Sequence, residues 1–419
     1  MPTGRRLPAL LANRSFVRLL SGRVVSNAGD SLYYVAAMWL VYAMTGSALF
    51  TGVAGFLVRA PSALSFLIGP LVDRWRVRRV LVASQLVNAL VVLVVPLAAW
   101  TGRLSVWLLL GVLPVVTLVN QFVYPAQNAA LPRMVEEAHL ARANAWLASA
   151  YRGADMVFNA LAGVLIAAVG AVSLFVLDSV TFAVALLLYA GLSVPPVSTD
   201  READGDGAFG RYLAELRDGI DTVRRSRLVP LLGGVVLTNL TAGAMLGVLP
   251  AYAATRGGAG SFGLLMAAYA GGTLAGMLLA PRIEHVALGR FVAIAFPLGG
   301  LAVALALASP SLWLTLAFFL VSFVPVGSFN VLFWTVLQST VAPGYLGRVS
   351  SVAASAGAVA IPVGSTVGGA VATVTSPGLV VLSWGVGLCF FGGYVLLRSP
   401  LRSLSAAAHI DAVELGLEA

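Results

Sequence analysis

Twelve long apolar segments separated by short polar connections run through this 419-residue chain. A helix needs about 20 apolar residues to cross the hydrocarbon core of a membrane. Only 10% of the residues are charged and 59% are hydrophobic, whereas a soluble domain carries about 25% charged residues. The predicted spans cover residues 16–44, 48–72, 80–100, 104–129, 141–170, 171–194, 228–254, 260–282, 288–309, 311–339, 346–374 and 376–397. We therefore predict an all-α membrane protein with twelve transmembrane helices.

The basic residues predict how the chain is oriented in its membrane. All 26 of them are Arg, and they cluster near both termini and in alternate connections. The connections between hold only Arg103 and Arg256. Basic residues in alternate loops mark the cytosolic side, so we expect a multi-pass protein of the cytoplasmic (inner) membrane with both termini in the cytosol. A nucleic-acid partner is not expected, because such a surface would gather its charge on one face.

The longest hydrophilic stretch inside the chain divides it into two halves. It begins with an acidic run at residues 200–206, after which Leu213, Leu216 and Ile220 recur at helical spacing. This spacing predicts an amphipathic helix on the inner leaflet, with a solvated linker as the alternative for residues 200–210. The predicted organisation is a six-helix bundle at 1–194, a cytosolic linker at 195–227, a second six-helix bundle at 228–398 and a cytosolic tail at 399–419.

The two halves resemble each other at an offset of about 211 residues. Gln127 and Gly52, for example, are matched by Gln338 and Gly263. Six-helix halves repeated in one orientation imply a pseudo-two-fold axis along the membrane normal, with a binding site between the halves. This architecture favours transport by alternating access over a static pore.

The turn after the second segment carries the most specific motif. Gly69, Leu71, Asp73, Arg74 and Arg78 follow one another at defined spacing. The segment resembles the signature loop of the major facilitator superfamily, in which the loop latches against the eleventh helix at the inner face. The resemblance implies a gating loop formed by Gly69, Asp73, Arg74 and Arg78. Ordinary positive-inside charge is the alternative, but it would not require an acidic residue at Asp73.

Further motifs narrow the resemblance to macrolide-efflux and enterobactin-exporter type facilitators. They are Asn27-x-Gly29-Asp30-Ser31, Thr45-Gly46-Ser47 and Pro125-Ala126-Gln127. One departure concerns the fifth helix, where drug antiporters of this family carry a Gly-Pro-rich signature. This chain has Asp155 and Asn159 in that region instead.

Five charged residues fall inside the predicted spans, all in the first half: Asp30, Arg59, Arg152, Asp155 and Asp178. Each costs about 2.5–3.5 kcal/mol or more at a helix centre, so such residues are rarely incidental. The rise along a helix places Asp30 and Arg59 at similar depth and predicts an ion pair between them. Arg152 and Asp155 are three residues apart and can pair on one helix face. Asp178 lies on the sixth helix and is interpreted as structural.

For Asp30 and Asp155 the sequence leaves two roles open. A titrating acid at the midplane of a cavity-lining helix suits proton coupling, with Arg59 and Arg152 adjusting the two acids. The alternative is a pair of permanently ionised salt bridges that fix the helix packing.

Aromatic and amide side chains on the spans that line the cavity in the resembled fold predict a pocket for an amphipathic ligand. Helix packing and interface anchoring are the alternative for any one of them. The predicted lining residues are Tyr33, Tyr34, Asn120, Phe122, Tyr124, Tyr151, Asn239, Tyr269, Asn330, Phe333 and Trp334.

The predicted function is secondary active transport, as proton-coupled efflux of an amphipathic small molecule such as a drug, a macrolide or a siderophore-like compound. Proton-coupled uptake is one alternative, and a receptor, scramblase or scaffold that does not pump is another. Small-molecule substrate, protons and membrane lipid are the expected partners, and the chain is expected to act as a monomer. The sequence shows no metal-ligand spacing, phosphate-binding loop or nucleophile motif, so no enzyme activity and no cofactor are expected.

Overall fold

The computed structural model describes residues 9–64, 75–195, 228–341, 343–406, 410 and 414. Twelve helices of at least 12 residues lie in these ranges. They are α1 (Arg14–Thr45), α2 (Ala48–Arg59), α3 (Val77–Trp100), α4 (Val106–Met134), α5 (Glu137–Val169), α6 (Ala171–Ala190), α7 (Leu228–Ala254), α8 (Ala259–Ile283), α9 (Leu288–Ala308), α10 (Leu312–Thr340), α11 (Pro343–Val374) and α12 (Pro377–Leu397). Eleven of the predicted spans coincide with one of these helices, and the second predicted span, 48–72, does so over residues 48–59. The predicted all-α membrane fold class is confirmed.

Ten helices of the described ranges are long and apolar enough to cross a membrane. The first helix is outside this set, since polar residues such as Asn27 and Asp30 lower its hydropathy. The second helix is short, continues as a 3₁₀ turn over Ala60–Leu64, and is followed by residues 65–74, which are not described. The predicted gating residues Gly69, Asp73 and Arg74 fall in that segment and therefore lie outside the described residues.

Local sequence signals explain where the helices begin and end. The Asn13 side chain accepts hydrogen bonds from the backbone N–H groups of Ser15 and Phe16, at 3.0 and 3.1 Å, and so caps α1. The same helix ends at Gly46, whose φ of 61° is in the left-handed region that glycine adopts without strain. Gly170, with φ of 82°, separates α5 from α6.

The chain divides into two compact units, and the first comprises Met1–Gly46 and Leu57–Thr199. In it α1 packs on α4, α5 and α6, and α3 packs on α4 and α6. A side chain at Gly29 of α1 would overlap Thr181 and Asp178 of α6. The glycine therefore lets these two helices approach closely, as small residues do at membrane helix interfaces.

The second unit comprises Ser47–Phe56 and Asp200–Ala419. Its helices pack in the same pairs as those of the first unit: α7 on α11 and α12, and α9 on α10 and α12. Interlocking glycines hold the α7–α11 pair together, because a Cβ on Gly243 would overlap the backbone of Ile361 and one on Gly364 the backbone of Leu240. The start of α2 also belongs to this unit, where Ser365 donates to the Gly52 carbonyl at 3.0 Å.

The segment after α12 folds back onto the start of α9. It contains the short helix Ser399–Arg402, and the Leu288 N–H donates to the Ser405 carbonyl at 2.9 Å. An isolated bridge also joins Ala287 to Ala406. The first part of the predicted tail is therefore attached to the second unit. The predicted linker at 195–227 lies outside the described residues from residue 196 onward.

Candidate functional site

The Asp155 carboxylate on α5 is bound by two neutral donors on α1. Asn27 Nδ2 donates to Asp155 Oδ1 at 2.9 Å, and Ser31 Oγ donates to the same oxygen at 2.8 Å. Asn27 also donates to the Tyr151 carbonyl at 3.1 Å. The donors are four residues apart on α1 and the acceptors four apart on α5, so each pair shares one helix face. Asp155 thereby connects α1 and α5 through a polar contact.

The Asp30 carboxylate, three residues after Asn27, takes part in a second set of hydrogen bonds. Asn120 Nδ2 on α4 donates to Asp30 Oδ1 at 2.8 Å, and Asn120 Oδ1 accepts from Asn88 Nδ2 on α3 at 2.7 Å. The side chain of Asn88 is fully buried, whereas Asp30 is half-buried. Three helices of the first unit therefore meet in a chain of amide and carboxylate groups that ends at Asp30.

Among the described residues, Arg23 is a cation whose charge acts on Asp30. It precedes Asp30 by two helical turns, attracts its carboxylate, and has its guanidinium 4.8 Å from the centre of the Tyr151 ring. Asp155 in turn repels Asp30, because the two acids are neighbours. Across the described residues, the only salt bridge is the one between His139 and Glu136. Among the described side chains, both acids thus accept from neutral donors, and Arg23 lies nearby without forming a salt bridge to either.

Asp178 lies at the interface of α1 and α6. Its side chain is fully buried, and Thr181 Oγ1 donates to Asp178 Oδ1 at 3.3 Å. Because it packs beside Gly29 in the tightest part of the interface, these contacts suit a role in helix packing. We retain the interpretation that Asp178 is structural.

The predicted ion pair between Asp30 and Arg59 is absent from the described contacts. Arg59 instead lies over the Tyr34 ring, with its guanidinium carbon 5.5 Å from the ring centre. The rise per residue predicts depth but not the direction in which a side chain points. Asn120 of α4 donates to the Asp30 carboxylate, whereas Arg59 contacts Tyr34, which lies one helical turn farther along α1. The predicted pair of Arg152 and Asp155 cannot be compared, since the Arg152 side chain lies outside the described part.

The predicted pocket residues of the first unit occupy different environments. Asn120 and Tyr151 belong to the polar cluster, Tyr34 lies under Arg59, and Tyr124 is 63% exposed. Tyr33 is buried edge-on against Phe175 of α6, with ring centres 5.6 Å apart. Phe122 stacks on Trp75 at 6.0 Å. The burial of Tyr33 favours the packing alternative for that residue.

The predicted pocket residues of the second unit also occupy different environments. Tyr269 packs edge-on against Phe323 at 4.9 Å, and the buried Phe333 stacks on Phe329 at 5.7 Å. Trp334 is half-buried beside Phe333, and Asn330 is exposed. Asn239 faces Gly357 of α11, where a Cβ would lie 2.9 Å from its amide nitrogen. Asn239 is half-buried, so Asn330 has the more accessible amide of this group, while the aromatic rings contribute mainly to packing.

Sequence reasoning missed four members of the polar cluster: Arg23, Asn27, Ser31 and Asn88. The spacing of Asn27, Asp30 and Ser31 on one helix was the available signal, since residues three and four apart share a face. Asn88 had no such signal, because its partner is 32 residues away on another helix. Of the predicted gating residues, only Arg78 is described, and it is exposed in the first turn of α3.

Comparison with known proteins places these features in a family. The protein-family model described as Major Facilitator Superfamily matches residues 19–365. An uncharacterized MFS-type transporter, YvqJ of Bacillus subtilis (strain 168), is 27% identical over 412 residues, which cover 93% of each chain. Macrolide efflux protein A of Streptococcus pyogenes is 25% identical over 213 residues, about half of each chain at 51% and 52%.

Solved structures show the same fold at low identity. A bacterial homologue of the iron transporter ferroportin, in an inward-facing state, has a TM-score of 0.69 at 17% identity. The alignment covers 91% of this chain and 98% of that one. A POT family transporter in complex with a thioalcohol-conjugated peptide has a TM-score of 0.67 at 12% identity, with 92% and 96% covered. At these identities the likeness concerns the fold alone.

Proposed function

This chain belongs to the major facilitator superfamily of secondary transporters, and from that premise we propose that it exports an amphipathic small molecule in exchange for protons. Asp30 and Asp155 are the proposed proton carriers. Arg23, which sequence reasoning did not single out, replaces Arg59 as the proposed cation that acts on Asp30, and Arg152 remains the cation proposed for Asp155. The proposal retains alternating access, with both termini in the cytosol.

The observation that carries the proposal is the way the two acids are bound. A carboxylate in direct contact with Arg stays ionised, because losing its charge would leave the cation unpaired in a medium of low dielectric constant. Asp30 and Asp155 accept instead from the neutral groups of Asn120, Asn27 and Ser31. Because the described partners of both acids are neutral, the loss of either negative charge would leave no unpaired cation among them. Exchange of a proton with each side of the membrane in turn is what coupling requires.

Two observations support efflux of an amphipathic compound. One relative, matched over about half of each chain, is a macrolide efflux protein. Within the second unit, the exposed amide of Asn330 and the half-buried ring of Trp334 are four residues apart on α10, so one helix face combines apolar contact with a polar anchor. Binding sites for drug-sized ligands have this composition.

The test is transport in proteoliposomes with an imposed pH gradient and a panel of radiolabelled macrolides and cationic dyes. Proton antiport predicts that substrate accumulates in an acidic lumen, since protons leave as substrate enters. Accumulation under the opposite gradient would identify symport and overturn the proposed direction of coupling. The absence of gradient-driven movement for the whole panel would favour a protein that does not pump. Adding Na⁺ or ATP without a pH gradient should produce no accumulation.

The gating loop remains a proposal from the sequence resemblance. Asp73→Asn is expected to leave membrane insertion intact and to lower transport sharply, because an Asp in this loop can hold an Arg at the inner gate through a charge-assisted hydrogen bond. The measurement is initial transport rate at equal membrane abundance. Arg103→Gln, in an exposed connection at the other end of α3, is the control for loss of a surface charge. Wild-type flux in the Asp73 variant would refute the latch.

A further inference from the structure

The first turn of α3 borders a cavity whose arginines take no part in the preceding roles. It has a volume of about 600 Å³ and lies between α3 and α4. Arg76 and Arg79 line it together with the stacked rings of Trp75 and Phe122, which are 6.0 Å apart with an interplanar angle of 12°. Aromatic rings beside arginines at the end of a transmembrane helix are typical of the headgroup region of a membrane.

An apolar stripe leaves this cavity along α3. Val87 lines the cavity and is 39% exposed, and Leu90 and Val94 continue the same helix face at 58% and 41% exposure. Their spacing of three and four residues keeps them on one side of the helix. The stripe runs from the arginine-rich end of α3 toward the middle of the span, so it provides a surface for a hydrocarbon chain.

A second cavity lies at the corresponding place in the other unit. It has a volume of about 650 Å³ and is lined by Arg290 and Ile294 of α9 and by Ser399, Arg402 and Ser403 of the segment after α12. This segment is held on α9 by the backbone hydrogen bonds of its next residues, described above. The second cavity therefore combines two guanidinium groups and two hydroxyl groups beside an apolar helix surface.

The two cavities are related by the internal repeat. At an offset of 211 residues, Arg79 corresponds to Arg290, a residue that likewise lies in the first turn of its helix. The stripe is repeated as well, with Leu298, Leu301 and Leu305 exposed by 59%, 54% and 42%. The same combination of arginine, cavity and exposed stripe thus occurs in two independently packed units.

We propose that each cavity binds one anionic phospholipid. The phosphate group lies between Arg76 and Arg79 in the first site and between Arg290 and Arg402 in the second, where charge-assisted hydrogen bonds hold it. The acyl chains follow the exposed stripes of α3 and α9. Within the described residues no carboxylate lies in salt-bridge distance of these four arginines, so their charge is available to an anion. Basic cavities between transmembrane helices bind anionic headgroups in this way.

We assign a lipid to these cavities because the exposed apolar stripe of each helix begins beside the arginines of its cavity. A small soluble anion would use the guanidinium groups but would leave the stripe unoccupied. A zwitterionic lipid would use the stripe but would bring no net charge to the arginines. The inference depends on the membrane embedding of the chain and not on the coupling ion, so it stands or falls separately from proton-driven efflux.

Native mass spectrometry of the purified full-length protein, titrated with phosphatidylglycerol or phosphatidylcholine, tests the proposal. Wild type should retain two phosphatidylglycerol molecules more tightly than phosphatidylcholine. An arginine near anionic lipid contributes about fivefold in affinity, so Arg76→Gln with Arg79→Gln should weaken one site about thirtyfold. Arg290→Gln with Arg402→Gln should weaken the other site equally, and the fourfold variant should weaken both.

The matched control is Arg103→Gln with Arg282→Gln, which removes two exposed arginines outside both cavities. It should retain both phosphatidylglycerol molecules. Equal affinity for the two lipids, unchanged binding in the fourfold variant, or an equal loss in the control would each overturn the proposal. Displacement of phosphatidylglycerol by excess glycerol phosphate would also overturn it, since that result would indicate an anion site without acyl-chain contact. Thermal unfolding in detergent checks that every variant is folded.

Discussion

Asp30→Asn is expected to abolish accumulation of substrate against its gradient while preserving exchange of substrate across the membrane. The substitution keeps an acceptor oxygen for Asn120, which donates to Asp30 at 2.8 Å in the wild type, but it removes the group that binds a proton. A transporter that cannot exchange a proton loses its coupling to the pH gradient. It keeps its ability to alternate between inward-facing and outward-facing states. The measurement compares pH-driven accumulation with substrate counterflow in proteoliposomes.

Asp155→Asn is the matched comparison for this result. Asp155 accepts from Asn27 and Ser31 rather than from Asn120, so the same isosteric change removes the other proposed carrier. Loss of accumulation in the Asp30 variant alone would assign coupling to Asp30, and loss in both would assign it to the pair. Full accumulation in the Asp30 variant would contradict the assignment to this residue. Loss of counterflow as well would indicate a structural role instead.

Gly243→Val is expected to produce the largest loss of stability among single substitutions of a buried glycine in α7. A Cβ at this position would overlap the backbone carbonyl oxygen of Ile361 on α11. It would also lie only 2.8 Å from the carbonyl carbon and from the Cα of Ile361. Backbone cannot move aside as a flexible side chain does, so the two helices must separate. Overpacking of this kind costs about 1–3 kcal/mol or more. Thermal unfolding in detergent, followed by gel filtration, measures the effect.

Gly233→Val on the same helix is the control. No atom lies within 4 Å of a Cβ built there, so the substitution changes helix propensity to the same extent without the overlap. We expect its unfolding temperature to remain close to that of the wild type. Equal destabilisation by the two substitutions would show that the close approach of α7 and α11 is not what the glycine provides.

The positions of the membrane spans could be predicted from the sequence because hydropathy over about 20 residues is a local property. The break at Gly170 and the boundaries of α7 at residues 228–254 were predicted to the residue. Prediction was poorer for α2, which gives way to a 3₁₀ turn over Ala60–Leu64. The run of apolar residues continues through that turn, and apolarity alone does not report where regular helix ends.

The candidate site was predicted only in part. Composition alone identified Asp30 and Asp155, since acids are conspicuous within apolar spans. The expected partner of Asp30 was Arg59, whereas the structure shows Asn120. That expectation was based on opposite charges at equal depth in the membrane. It took no account of the rotation of each helix about its own axis, which sets the direction of the side chains. An amide such as Asn88 is less conspicuous than a charge, so its part in the cluster became apparent only in the fold.

The sequence by itself determined the all-helical membrane fold class, the family and the presence of acids within the first half, because each depends on residue type and local order. Tertiary structure decided which groups those acids meet: Asp155 with Asn27 and Ser31, and Asp30 with Asn120. It also decided that Tyr33 is buried against Phe175. These contacts depend on helix rotation and on close approach at residues such as Gly29, and both are set by packing across the whole unit rather than by any one segment.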